Sequence, residues 1–168
     1  MNTFAAEQAN EQAKWRVEGI VEAPVEHVAE ALLTVREGEA GVDGNALMLA
    51  GDHTRESGAV TLEGGPDKFV GRFGDSGADY LELTVDRAAG AVTVQTWFGG
   101  TYTVEPADGA SRVVLSVHKL VPGSGRLGRK VAEIGVESRL ERVLTGVLGA
   151  LSDHLGAPTP APASITAK

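Results

Sequence analysis

From Trp15 to Val21 the side chains alternate, with Trp15, Val17, Gly19 and Val21 on one face and Arg16 and Glu18 on the other. A period of two predicts a half-buried strand. Pro24 suits the start of a helix, and Val25, Val28, Ala29, Leu32 and Leu33 then follow i, i+3, i+4, i+7 spacing. Residues 36–57 are Gly-rich and irregular around one apolar island, Leu47-Met48-Leu49. That island reads either as a second short helix or as a lid-like loop. Six further runs predict strands: Ala59–Glu63, Lys68–Phe73, Asp79–Asp86, Ala91–Phe98, Thr101–Glu105 and Arg112–Val121. Turn signals separate them at Gly64-Gly65-Pro66, Gly74-Asp75-Ser76-Gly77, Ala89-Gly90, Gly99-Gly100 and Asp108-Gly109. Turns this short predict an antiparallel meander.

The last regular stretch, Gly125–Leu155, has no proline and predicts one long helix, with Ser124 as N-cap and Gly156 and Pro158 as its stop. A straight helix of that length would measure roughly 46 Å, more than a domain of this size is wide. Leu127, Val131 and Ile134 fall on one side, whereas Leu140, Val143, Leu144, Val147, Leu148, Leu151 and Leu155 fall on a broader one. The stripe changes direction near Gly135, so the helix is expected to bend there. Its glycines, Gly128, Gly135, Gly146 and Gly149, either admit close packing on a sheet or leave room for a ligand.

Composition narrows the function. A chain of 168 residues, 42% hydrophobic and 23% charged, predicts one globular domain. The net charge of −8 argues against nucleic acid and against general attraction to anionic membrane. No cysteine means no disulfide framework and no thiolate chemistry. The first 14 residues show neither a basic n-region nor an apolar h-region, and no run is long enough to span a bilayer, so a cytoplasmic protein is expected.

The order of elements, with VEGIVEAPVEHVAEALLTV at the start and VPGSGRLGRKVAEIGVESRLERVL before the end, resembles the SRPBCC superfamily. That superfamily includes START lipid-transfer domains, Bet v 1-like proteins and bacterial polyketide cyclases, and the chain looks bacterial in type. The resemblance implies an α+β helix-grip fold. In it an antiparallel sheet of about seven strands curls around the long C-terminal helix, with one or two short helices after strand one. It also implies an apolar cavity between sheet and helix. The expected organisation is a mobile lead-in over 1–14, a single domain over 15–156 and a disordered Pro/Ala-rich tail over 157–168.

Several motifs lead nowhere. Gly123-Ser-Gly125-Arg-Leu-Gly128 spells G-x-G-x-x-G, but no strand follows the helix it opens, so the dinucleotide unit is incomplete. Gly74-Asp75-Ser76-Gly77 is turn chemistry. His27, His53, His118 and His154 lack metal-ligand spacing, so no metal and no cofactor is expected. One oddity stays: Lys119, Arg126, Arg129 and Lys130 form a basic cluster with no acid between Lys119 and Lys130. It is either a solvated face or a patch for an anionic group or a protein partner.

Taking the more apolar parity of each strand as inward gives a face with no Asp, Glu, His, Lys or Arg, and with Thr96 and Tyr102 as its polar members. Arg72, Tyr80, Glu82 and His118 fall on the other face. Such an interior suits an apolar ligand oriented by one or two hydroxyls. The expected ligand-binding residues are Leu47, Met48, Phe69, Phe73, Thr96, Phe98, Tyr102, Leu115 and Ile134. Two functions remain open. One is a carrier of a lipid, polyketide or isoprenoid, which needs a cavity larger than a water. The other is a cyclase or dehydratase working by orientation, with Tyr102 and His53 as catalytic candidates. A third possibility is an interaction module acting through the basic patch or the tail. The oligomeric state is open.

Overall fold

The computed structural model describes residues 13–49, 60–73, 80–96, 98–120 and 135–167. Nine strands form one antiparallel sheet: β1 (Trp15–Val21), β2 (Gly38–Glu39), β3 (Val60–Gly64), β4 (Lys68–Phe73), β5 (Tyr80–Asp86), β6 (Ala91–Gln95), β7 (Phe98–Ala107), β8 (Ala110–Leu120) and β9 (Ser164–Ala167). Their spatial order is β2-β3-β4-β5-β6-β7-β8-β1-β9. Two α-helices, α1 (Val25–Leu33) and α2 (Val136–Leu155), and a 3₁₀ turn over Leu47–Leu49 complete the described fold.

The alternating patterns became strands because one parity packs on the helices. Val17, Val21, Val60, Leu62, Phe69, Leu81, Leu83, Val85, Val92 and Val94 are buried in a single core. On α2, Leu140, Val143, Leu144, Val147, Leu148 and Leu151 are buried against them, while Leu155 is partly covered. At roughly 1.5–3 kcal/mol for each fully buried large apolar side chain, this seam dominates the stability of the fold. The helix packs tightly on the sheet at Gly19, where an added Cβ would collide with Leu148 Cδ1.

Four expectations change. The sheet has nine strands rather than about seven, because a two-residue strand joins one edge and the C-terminal segment the other. The Pro/Ala-rich tail, expected to be disordered, ends in β9, which pairs with Trp15–Glu18 of β1. Ala163 is buried, and its N–H donates to Thr145 Oγ1 on α2 at 3.0 Å. An edge with open backbone groups and a hydroxyl on the helix therefore tie down a segment whose composition alone carries no such signal.

Gly99-Gly100 is not a turn; both residues belong to β7, and the strands change over at 96–97, where Thr96 N–H donates to Phe98 O. The register then shifts between Gly99 and Gly100, which face Lys119 and Val117, leaving His118 as the extra residue of a bulge. Finally, the helix does not run through Gly135. That residue is left-handed, with φ 72° and ψ 13°, and α2 starts after it. That conformation is nearly closed to other residues, so a glycine suits the start of α2. Residues 121–134, including the G-x-G-x-x-G run and Ser124, lie outside the described residues, as do Asp75 and Ser76.

The register sorts the strand ends. Residues 65–67, 87–90 and 108–109 join strands at one end of the sheet. Asp108 and Gly109, with φ of 46° and 83°, form the two-residue turn that Asp-Gly predicts. At the opposite end lie the starts of β3, β5 and β7 and the ends of β4, β6 and β8. The connections over 50–59, 74–79, 96–97 and 121–134 all meet the sheet there.

Candidate functional site

A crevice sits at that second end, between the sheet and the N-terminal half of α2. Val94 and Thr96 reach it from the end of β6, Phe98 and Tyr102 from β7, and Val143 from α2. Met48 and Leu49 cover it from the 3₁₀ turn. Phe98, Tyr102, Met48 and Leu49 are all buried.

The covering turn owes its place to Asn45, which is 1% exposed. Its Oδ1 accepts from Arg36 N at 2.9 Å, and its Nδ2 donates to Arg36 O and Glu39 O. Arg36 Nη2 donates in turn to Val42 O and Asp43 O. These bonds make residues 36–46 a compact knot in which Asp43 and Ala46 hold positive φ, 52° and 51°. The knot presents Leu47, Met48 and Leu49 inward. Leu47 is buried in the core but does not line the crevice.

The volume is about 10 Å³, room for about one water. The larger preformed cavity that a carrier was expected to need is absent from this crevice in this conformation. Its chemistry is nonetheless selective. Among its seven described lining residues there is no carboxylate, imidazole, ammonium or guanidinium, and Tyr102 supplies the one ionisable group. Thr96 Oγ1 is shielded from solvent and has no hydrogen-bond partner among the described residues. A buried hydroxyl left unpaired costs roughly 1–3 kcal/mol, and few native groups are left that way. Ser152 Oγ on α2 shares that state but lies elsewhere.

The other expected residues are spread out. Leu115 is buried opposite Tyr102 in the β7–β8 register. Phe69 is buried beside Gly65, at the tight-turn end of the sheet rather than near the crevice. Lys119 is exposed, its aliphatic stem lying over Gly99. The side chain of Phe73, together with His53, Ile134, Arg126, Arg129 and Lys130, lies outside the described residues.

His118 stands apart from the crevice. It is part-buried on the outer face of β8, with Nε2 3.5 Å from Thr101 Oγ1, which is itself 3.2 Å from Thr93 Oγ1. Burial lowers its pKa below the ordinary 6.5, because an imidazolium loses hydration there.

A second depression, of about 250 Å³, opens between α1 and the end of α2. His27, Glu30, Ala31 and Thr34 form one face of α1, and His154 and Leu155 face them. The sequence reading of α1 named only its apolar residues, so neither this polar face, which ends at the C-cap Thr34, nor the approach of His154 was among its expectations. Among the described residues no three His, Asp or Glu side chains stand close enough to hold a metal ion. No described helix is long and apolar enough to cross a membrane.

No protein-family model matches the sequence, and no curated protein does. Solved structures do. The ZhuI aromatase/cyclase from Streptomyces sp. R1128 is 17% identical over 84% of this chain and 96% of its own, with a TM-score of 0.57. The KanY protein is 19% identical over 83% and 95%, with a TM-score of 0.55. TTHA0849 from Thermus thermophilus is 19% identical over 82% and 96%, with a TM-score of 0.50. Together with the curled antiparallel sheet closed on a C-terminal helix, these likenesses show that the chain carries the helix-grip fold.

Proposed function

We propose that the protein binds an apolar small molecule, of the lipid, polyketide or isoprenoid kind, between the curved sheet and α2. The carrying observation is the crevice lining among the described residues: five apolar side chains and two hydroxyl-bearing ones, with no charged group. That is the make-up of a site that recognises shape and one or two polar atoms. It lies at the end of the sheet opposite the tight turns. A ligand enters by displacing the Leu47–Leu49 turn, whose Met48 is unbranched and adaptable. An apolar fluorophore whose emission rises on leaving water tests this. Wild type should take it up saturably, Met48→Ala should bind it severalfold more tightly, and Phe98→Trp should alter the affinity. No uptake by wild type or Met48→Ala would refute the reading.

A second reading keeps the same site and adds chemistry. Tyr102 is the one proton donor in the lining with a titratable group, and a reactive chain folded against it would be oriented for cyclisation or dehydration. One protein of the same fold is an aromatase/cyclase. Turnover of a reactive polyketide mimic that disappears in Tyr102→Phe, with binding retained, would favour catalysis over carriage.

A further inference from the structure

We propose that the Thr96 hydroxyl is the polar anchor of this site, and that the ligand carries a carbonyl or hydroxyl group on an otherwise apolar frame. The inference rests on the binding reading above and names the ligand class that reading leaves open. Val92, Val94 and Thr96 share the inward parity of β6 and its end. Valine and threonine have nearly the same shape, so packing alone would be served by a third valine. Instead the chain places a hydroxyl there, shields it from solvent and gives it no partner among the described residues.

The space beside it is about 10 Å³, which fits one oxygen atom. Most of the remaining lining is apolar: Met48, Leu49, Val94, Phe98 and Val143. A plain hydrocarbon chain in this site would leave Thr96 Oγ1 as unpaired as it is now. A ketone, phenol or alcohol would complete it, with Thr96 donating to a carbonyl or accepting from a hydroxyl. The anchor therefore favours oxygenated, polyketide-like frames over acyl tails and isoprenoid hydrocarbons.

Two probes of matched shape separate the alternatives: 2-acetylnaphthalene, which carries a carbonyl, and 2-ethylnaphthalene, which does not. Wild type should bind the ketone roughly three- to tenfold more tightly, the range expected for one added hydrogen bond. Thr96→Val should erase that preference while keeping affinity for the hydrocarbon, and its melting temperature should equal or exceed that of wild type. Thr96→Ser should keep the preference. Equal affinity of wild type for both probes overturns the inference and leaves the binding reading standing, as does a preference retained in Thr96→Val. If neither probe binds wild type, the binding reading fails and takes the anchor with it.

Discussion

The two ends of the sheet are built on different principles. At one end, connections over 65–67, 87–90 and 108–109 close the strands tightly, and their polar groups are satisfied locally. Asp86 Oδ1 accepts from Ala89 N, Gly65 N donates to Lys68 O, and buried Ser111 Oγ donates to Ala23 O. At the other end, Thr96 Oγ1 is buried with no partner among the described residues, β8 carries a bulge, and a three-residue turn covers a water-sized gap. A protein stabilised uniformly would have no reason to leave these features together. Ser152 on α2 is also unpaired among the described residues but lies outside the crevice, so the contrast rests on Thr96 together with the bulge and the cover rather than on an unpaired hydroxyl alone.

The sharpest way to break that contrast is to cut equal amounts of core from each half. Leu148→Ala removes a fully buried side chain from the contact between α2 and Gly19 of β1. It should cost about 2–5 kcal/mol in urea unfolding, because tightly packed surroundings cannot collapse into the void. Met48→Ala removes a similar volume beside space that already exists, and should fall below that range. Equal losses would mean that the crevice is simply core.

Asn45→Ala comes next, at about 1–3 kcal/mol, since it removes the three hydrogen bonds that this buried side chain makes to the backbone of Arg36 and Glu39. Its signature is local. Amide exchange should quicken over residues 36–49 and leave the β5–β6 and β7–β8 hairpins protected. Uniform loss of protection would show that the knot supports the whole fold rather than the crevice cover.

How much of this contrast was legible beforehand follows from where each signal resides. The inward parity of β3 to β6 was readable because a side chain's face depends only on its neighbours in sequence. Val60, Leu62, Leu81, Leu83, Val92 and Val94 all lie buried as their alternation requires. Asp108-Gly109 was readable because its φ values belong to the dipeptide itself. The errors cluster where pairing over long range decides. Gly99 and Gly100 look like a turn until β8 supplies partners for both, and no local pattern announces the bulge at His118. The tail reads as disorder until the free edge of β1 and the Thr145 hydroxyl are placed beside it. Asn45 looked like one polar residue in a loop, although its three bonds arrange the cover of the crevice. Within the crevice, Met48, Thr96, Phe98 and Tyr102 converge, whereas Phe69 shows that inward parity does not specify which end of the sheet a residue serves.

A smaller perturbation probes the seam that the tail covers. Thr145→Val removes the acceptor for Ala163 N while keeping the side chain's shape. A loss of about 1 kcal/mol is expected, with faster proteolysis confined to residues 157–168. The crevice should be unaffected, so probe binding should match wild type. Reduced binding would extend the functional region along α2 to the far edge of the sheet.

The smallest expected effect is a pH dependence at the bulge. His118 is held in its neutral form by burial, so its folded pKa lies below the ordinary 6.5 of the unfolded chain. Between those two values the unfolded state binds more protons than the folded one, and stability rises with pH. The contribution is therefore fully present above about pH 6.5 and is lost as the pH falls through 6.5 toward the lower folded value. His118→Gln keeps a hydrogen-bonding side chain near Thr101 Oγ1 but cannot titrate. Unfolding midpoints measured from pH 7.5 down to 5 should fall less steeply in His118→Gln than in wild type. Because His118 lies on the outer face while Thr96 lies inside, the ketone preference should not move with this titration. A preference that tracked the His118 titration would couple the two faces through β7 and β8. The bulge would then belong to the site rather than beside it.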